Sequence, residues 1–269
     1  MLTNYINKVS KLSAKDIWAL QKRTKTLFRI YIIIYLIFIL LGMINNWALF
    51  VLLWAYTSPI GIICYAISFN ILMKGTTAIL TGKLQPQRYL DTINEIGPKS
   101  KGKHSLFERN SVFLNSAEAL IALGQFEEAK GQLQEVNPQH IRGGYKLMKK
   151  VKYYYLDALI TYIQNGKLNA QARNQLLTIQ GKNKKEKTFI ESHIAILDAL
   201  SSSDSDFSGI VAADKLEQVQ LCYLEGRKLL EMENRQPEEA KACFKKITNE
   251  NPELFYVKEA KKYLEKLAS

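Results

Sequence analysis

The chain has 269 residues, 47% hydrophobic and 23% charged, with a formal net charge of +12. Three cysteines, without a C-x-x-C pair or a Cys/His cluster, exclude a disulfide-stapled domain and a zinc framework, as a reducing compartment would favour. The positive charge is interspersed with acidic residues beyond the N-terminus, which fits a domain near an anionic surface better than a dedicated nucleic-acid binder.

Residues 1–28 form a basic amphipathic segment. Leu2, Tyr5, Ile6, Val9 and Leu12 recur at helical spacing, with Lys8 and Lys11 off that stripe. Such a segment either lies on anionic lipid or packs on the protein's own domain. Ser13 and Asp16 read as a capping box at the start of a further helix.

No charge occurs between Arg29 and Lys74. As one helix those 44 residues would reach roughly 66 Å, too long for one crossing of a bilayer core about 30 Å thick. Two passes fit, at about 27–44 and 47–70 within a hairpin of residues 29–73. Asn45 and Asn46 suit the turn, and Trp47 suits the headgroup level. Pro59 and Gly61 predict a kink in the second pass, or its last part lies at the interface. Seven basic residues stand against Asp16 before the first pass, and more follow the second, whereas the turn is neutral. The expected placement is therefore a multi-pass cell-membrane protein with both termini cytoplasmic.

A linker with one helix is expected over 74–105, and a helical domain over 106–269. The predicted helices are 86–96, 106–123, 126–136, 142–165, 168–179, 184–201, 214–234, 237–249 and 252–267, separated by short polar breaks. No alternating strand pattern appears among them. Even spacing of paired helices points to an α-helical repeat.

Two stretches carry a family resemblance. In "AEALIALGQFEEAKGQLQEVNP" the residues Ala119, Gly124, Phe126 and Ala129 fall at the spacing of a tetratricopeptide repeat (TPR), although Pro138 comes early. In "PEEAKACFKKITNENP" Ala240, Phe244, Ile247 and Pro252 match the end of such a repeat, without its usual glycine. A weaker copy contains Gly166 and Leu168. The last helix, rich in lysine behind one apolar stripe, looks like a solubilising cap. The repeat lengths are uneven, which leaves related helical-repeat classes open; the resemblance implies an α-solenoid of helix pairs whose concave face binds peptides or helices of other proteins. Groove residues expected on that basis are Asn110, Asn115, Lys149, Lys152, Tyr153 and Arg227.

Chemical motifs are weak by comparison. "GPKSKGKH", Gly97 to His104, resembles a phosphate-binding loop but has His104 in place of the magnesium-binding Ser or Thr and lacks the preceding strand. A basic linker is the better reading. His104, His140 and His193 are isolated. Glu127-Glu128 and Glu238-Glu239 sit in first helical turns, where they complement the helix dipole. Tyr153 to Tyr155 cannot all face one ligand, being consecutive on a helix. No catalytic residue, metal or cofactor is implied. The expected class is an all-α protein with an N-terminal two-helix transmembrane hairpin and a TPR-like α-solenoid. It would serve as an adaptor or scaffold for a protein or peptide partner, in contact with membrane lipid and without nucleic acid. A membrane-associated enzyme and an RNA-binding helical-repeat protein are the alternatives.

Overall fold

The structure, a computed structural model, describes residues 2–45, 48–97, 109–139, 141, 146–202, 207–232 and 236–268. Among them are twelve α-helices and no strand. Asn46, Trp47, most of "GPKSKGKH" and His140 lie outside the described residues.

Helix α1 (Leu2–Val9) leads through Ser13 into α2 (Ala14–Ile44), a single helix of 31 residues. Ser13 accepts a hydrogen bond from the Asp16 amide at 3.2 Å and donates to the Asp16 carboxylate at 2.6 Å, so the expected cap is formed. The basic stretch and the first apolar run are thus one rod, because nothing between Ala14 and Ile44 interrupts helical hydrogen bonding. Asn45 closes it, its side-chain amide donating to Leu41 O at 2.8 Å. Helix α3 (Ala48–Thr81) then runs 34 residues, passing through Pro59 without ending. Residues 74–81, expected to begin a linker, continue this helix. Thr76, Ile79 and Leu80 are fully buried there, and Gly75 is the weakest helix former in the stretch.

Helices α2 and α3 pack on one another. The Phe28 and Tyr65 rings stack at 4.2 Å, and a Cβ on Gly61 would stand 2.2 Å from the Tyr31 ring. A glycine at that point lets the helices approach, as small residues do in apolar surroundings. The outward faces stay bare, with Ile33, Leu36, Leu40, Ile60 and Ile63 all more than half exposed. Ala14–Ile44 and Pro59–Thr81 are both long and apolar enough to cross a membrane.

Beyond that hairpin the helices bury their faces. Ile17 of α2 and Leu72, Ile79 and Leu80 of α3 meet α4 (Pro86–Ile96), whose Tyr89, Ile93 and Ile96 have no exposed surface. Helix α1 lies along α3, where a Cβ on Gly75 would collide with Val9. Arg88 fixes the corner by donating to Leu12 O at 2.8 Å. The N-terminal segment therefore packs on the protein itself through Val9, while Leu2 and Tyr5 remain about half exposed.

The remaining helices are α5 (Arg109–Leu123), α6 (Phe126–Gln134), α7 (Lys146–Asn165), α8 (Ala170–Leu177), α9 (Lys184–Ser201), α10 (Lys215–Glu231), α11 (Pro237–Lys245) and α12 (Phe255–Lys266). Adjacent members pack as α5 with α6, α7 with α8, and α10 with α11. The residues that resemble a repeat occupy these contacts. Ala119, Ala129, Ala240 and Phe244 are fully buried, and Gly124 takes a left-handed φ of +82° between α5 and α6. That glycine ends α5 with paired hydrogen bonds, its own amide to Ile121 O and the Gln125 amide to Leu120 O, a geometry that residues with a Cβ disfavour.

The array closes on itself. Helix α12 packs against α5, with Phe255 edge-on to Phe126 at 4.9 Å, and α10 reaches α3. Asn251 donates to Leu84 O at 2.6 Å across the turn between α3 and α4. Helix α10 meets α7 through Gln220 with Tyr155 and Arg227 with Ile163.

Candidate partner-binding site

The first helices of the pairs run in parallel, which brings the predicted groove residues onto neighbouring elements. Asn115 and Glu118 lie three apart on α5 and share a face. The Lys152 ammonium of α7 sits between them, 2.6 Å from Glu118 Oε2 and 3.1 Å from Asn115 Oδ1. The Lys152 and Glu118 side chains are only 22% and 23% exposed, so the ion pair is better shielded from water than a surface pair.

One turn further along α7, Tyr155 is buried and accepts a hydrogen bond from Gln220 Nε2 of α10 at 3.0 Å. The His193 ring of α9 stands edge-on to Tyr155 at 4.6 Å, and its Nδ1 lies 2.8 Å from Phe189 O, which places the proton on Nδ1. Burial, with the Lys152 charge adding in the same direction, holds the His193 pKa down to about 4, so the ring is neutral at pH 7. It is a packing residue. At the start of α10, Asp214 accepts from the Glu217 amide at 3.0 Å, and Glu217 reaches back to the Ala213 amide at 2.5 Å. Burial raises both carboxyls, and the Glu118 charge pushes the same way.

Arg227 is committed to internal contacts. It donates to Ile163 O at 2.7 Å and to Glu231 at 2.6 Å, and its guanidinium lies 5.2 Å from the Tyr162 ring centre. Tyr162 completes the knot by donating to Glu231 at 3.0 Å. These bonds tie α10 to α7. Lys228 ties α10 to α9 through Leu200 O at 3.1 Å.

Of the six predicted groove residues, Asn115 and Lys152 meet directly. Arg227 lies about three turns away along the parallel helices, facing Ile163. Asn110, Lys149 and Tyr153 are half-buried nearer the starts of α5 and α7. The three consecutive tyrosines separate, Tyr155 into the core and Tyr153 against Tyr154 at 5.1 Å. Glu118, Gln220 and Glu217 were not singled out from the sequence. Glu118 left a signal, since it is the only charge between Arg109 and Glu127 and had to find a cation or water.

The arrangement can pair charges and hold helices together. Among the described residues no group of three His, Cys, Asp or Glu side chains is placed to hold a metal ion. Burial raises the Cys222 thiol and, with Glu225 adding, pushes Cys243 up to about 12, so both stay protonated at pH 7. Fold and site together define an all-α protein with two membrane-length apolar helices leading into a closed helical array. No protein-family model matches the chain, and comparison with curated proteins and with solved structures finds no match.

Proposed function

We propose that the protein is a membrane-anchored adaptor whose TPR-like array holds a protein partner beside the bilayer. The single observation that carries this is the course of α3. It extends without a break from the bare apolar hairpin to the buried Ile79 and Leu80, so the second anchor helix itself packs into the helical part of the chain. The bare outward faces of α2 and α3 suit lipid. The basic flanks and the neutral turn favour a hairpin with both termini in the cytoplasm. The alanines and the glycine that resemble a tetratricopeptide repeat lie at close helix contacts, which supports the repeat reading.

Because Lys152 is bonded to Glu118 and Asn115, and Arg227 to Ile163 and Glu231, the partner meets the exposed surface of the array rather than these side chains. Lys152 and Arg227 then act by preserving its shape. A photo-crosslinking residue at Glu128 or Glu239, at the end remote from the hairpin, tests this in native membranes. The adaptor reading requires one recurrent protein adduct that also co-purifies in fixed ratio with the unmodified chain in mild detergent. Absence of any such adduct, together with a turnover activity in the purified chain, would overturn it in favour of an enzyme.

A further inference from the structure

We infer that the hairpin-proximal end of the helical array is a docking surface for the anionic headgroups of the membrane that holds the hairpin. The inference rests on the membrane-anchored reading above and deepens it by assigning a lipid-facing surface to the array.

The course of the chain places the relevant ends. Phe28 and Tyr65 are stacked beside Arg29, the last charge before the uncharged stretch, so the membrane boundary on α3 falls just after Tyr65, near Phe69. From Phe69 to Thr81 helix α3 rises about 18 Å away from that boundary. Helix α4 packs back along α2 and α3, and its 11 residues return about 16 Å. Gly97 at its end meets Val112 at the start of α5, where a Cβ on the glycine would lie 3.2 Å from the valine. The start of α5 is thus carried back toward the boundary. Helix α6 returns to the same end, since Glu135 beyond it pairs with Arg109 at 3.7 Å. Helices α7 and α9 run parallel to α5, in register through Lys152 with Glu118 and Tyr155 with His193. Their first turns therefore share that end.

That end is basic. Arg109, Lys146, Lys184, Lys185 and Lys187 are exposed on it, and Lys149 is half-buried. The acidic residues among these first turns and their flanks are Glu108, next to Arg109 in the sequence, Glu135, paired with Arg109, and Glu186, which accepts from the Lys182 amide at 2.8 Å and serves as a cap; α10, parallel to α7, adds Asp214 and Glu217 beside Lys215. Helices α6 and α11 begin at the opposite end, and their first turns carry Glu127, Glu128, Glu238 and Glu239. The array thus has a positive end toward the hairpin and a negative end away from it. Clustered cations within a Debye length of an anionic leaflet are attracted additively, and three parallel helix N-termini add partial positive charge facing the same way. Positive charge attracts anionic lipid, nucleic acid and acidic protein alike, and continuity with the apolar hairpin selects lipid among them.

The test uses the full chain in lipid nanodiscs, with Cys64→Ala, Cys222→Ser and Cys243→Ala, and a donor dye on Thr188→Cys in the exposed start of α9. Acceptor dye is carried on lipid headgroups. Energy transfer should be higher in discs of equal phosphatidylglycerol and phosphatidylcholine than in phosphatidylcholine alone. High salt should remove that difference in the otherwise unaltered chain, a control that needs no charge substitution. Lys146→Glu, Lys184→Glu, Lys185→Glu and Lys187→Glu together should remove it as well, with helicity by circular dichroism retained. A donor on Glu239→Cys should give the lower transfer in every disc. Equal transfer in both lipids from a chain that has entered the discs overturns the docking surface and leaves the anchored reading intact. A chain that does not enter discs removes both. Loss of RNA binding in the lysine variant, with lipid transfer unchanged, overturns the inference in favour of a nucleic-acid surface.

Discussion

Closure of the array by α12 predicts unequal penalties for one substitution made at two glycines. Gly124 and Gly166 both end a first helix in the left-handed region, at φ of +82° and +69°. Alanine in that region costs about 1–2 kcal/mol. At Gly166 the nearest atom to a new Cβ is Arg227 Nη2 at 4.0 Å, so backbone strain is the whole cost. At Gly124 the Cβ would lie 2.8 Å from Phe255 Cδ2 and 3.3 Å from Phe255 Cβ. Phe255 cannot swing away freely, because Phe126 packs edge-on at 4.9 Å and Tyr223 at 5.6 Å. Overpacking of that kind adds about 1–3 kcal/mol. Gly166→Ala should therefore cost about 1–2 kcal/mol and Gly124→Ala about 2–5 kcal/mol. Urea unfolding of the full chain in detergent, followed by circular dichroism, measures both. Phe255→Ala combined with Gly124→Ala should cost less than the two changes summed, since removing the ring removes the clash. Equal penalties at the two glycines would refute the contact of α12 with the turn between α5 and α6.

Four further outcomes are expected. A reporter active only in the cytoplasm should work when fused to either terminus; activity at one end alone would end the hairpin topology. Ala240→Leu, at a fully buried helix contact, should cost about 1–3 kcal/mol by overpacking, and an unchanged melting temperature would show that α10 and α11 do not meet there. Gly61→Leu should weaken the packing of α2 on α3 by displacing the Tyr31 ring, seen as a lower melting temperature in detergent; wild-type stability would place the helix contact elsewhere. His193 has a folded pKa of about 4 against an ordinary value of 6.5, so the unfolded chain binds the extra proton between these values. Stability should fall as pH drops from 6.5 toward 4, by on the order of 2–3 kcal/mol from this group. Asp214 and Glu217, raised by burial, act in the opposite direction. The check is therefore the difference between wild type and His193→Gln, and a difference independent of pH would show that His193 is not buried as a neutral ring.

All nine helices expected after the hairpin are present, and the α4 and α9 bounds agree to the residue. Helices bounded by glycine, proline, asparagine or serine announce themselves locally, because caps and breakers act within a turn or two. The two apolar helices were legible for the same reason, since their length and lack of charge are properties of consecutive residues. The extension of α3 through residues 74–81 was not. Its polar and small residues read as a linker, and they remain helical because Ile79 and Leu80 are buried. Nor was the candidate site. Lys152 and Asn115 were visible as polar residues on one expected face. Their bond to each other, the commitment of Lys152 to Glu118 and the use of Arg227 as a tie between α7 and α10 depend on helices distant in sequence.

The sequence by itself thus determined which segments are helical, which two are bare and apolar, and where charge accumulates, all of which follow from side chains within a few residues of one another. Only the tertiary structure decided that the last helices return onto the first, and that the basic starts of α5, α7 and α9 gather at one end. Those outcomes rest on contacts such as Asn251 with Leu84 and Phe255 with Phe126, made between segments up to 167 residues apart. No local periodicity encodes them, because they exist only once α12 has returned to pack against helices formed far earlier in the chain.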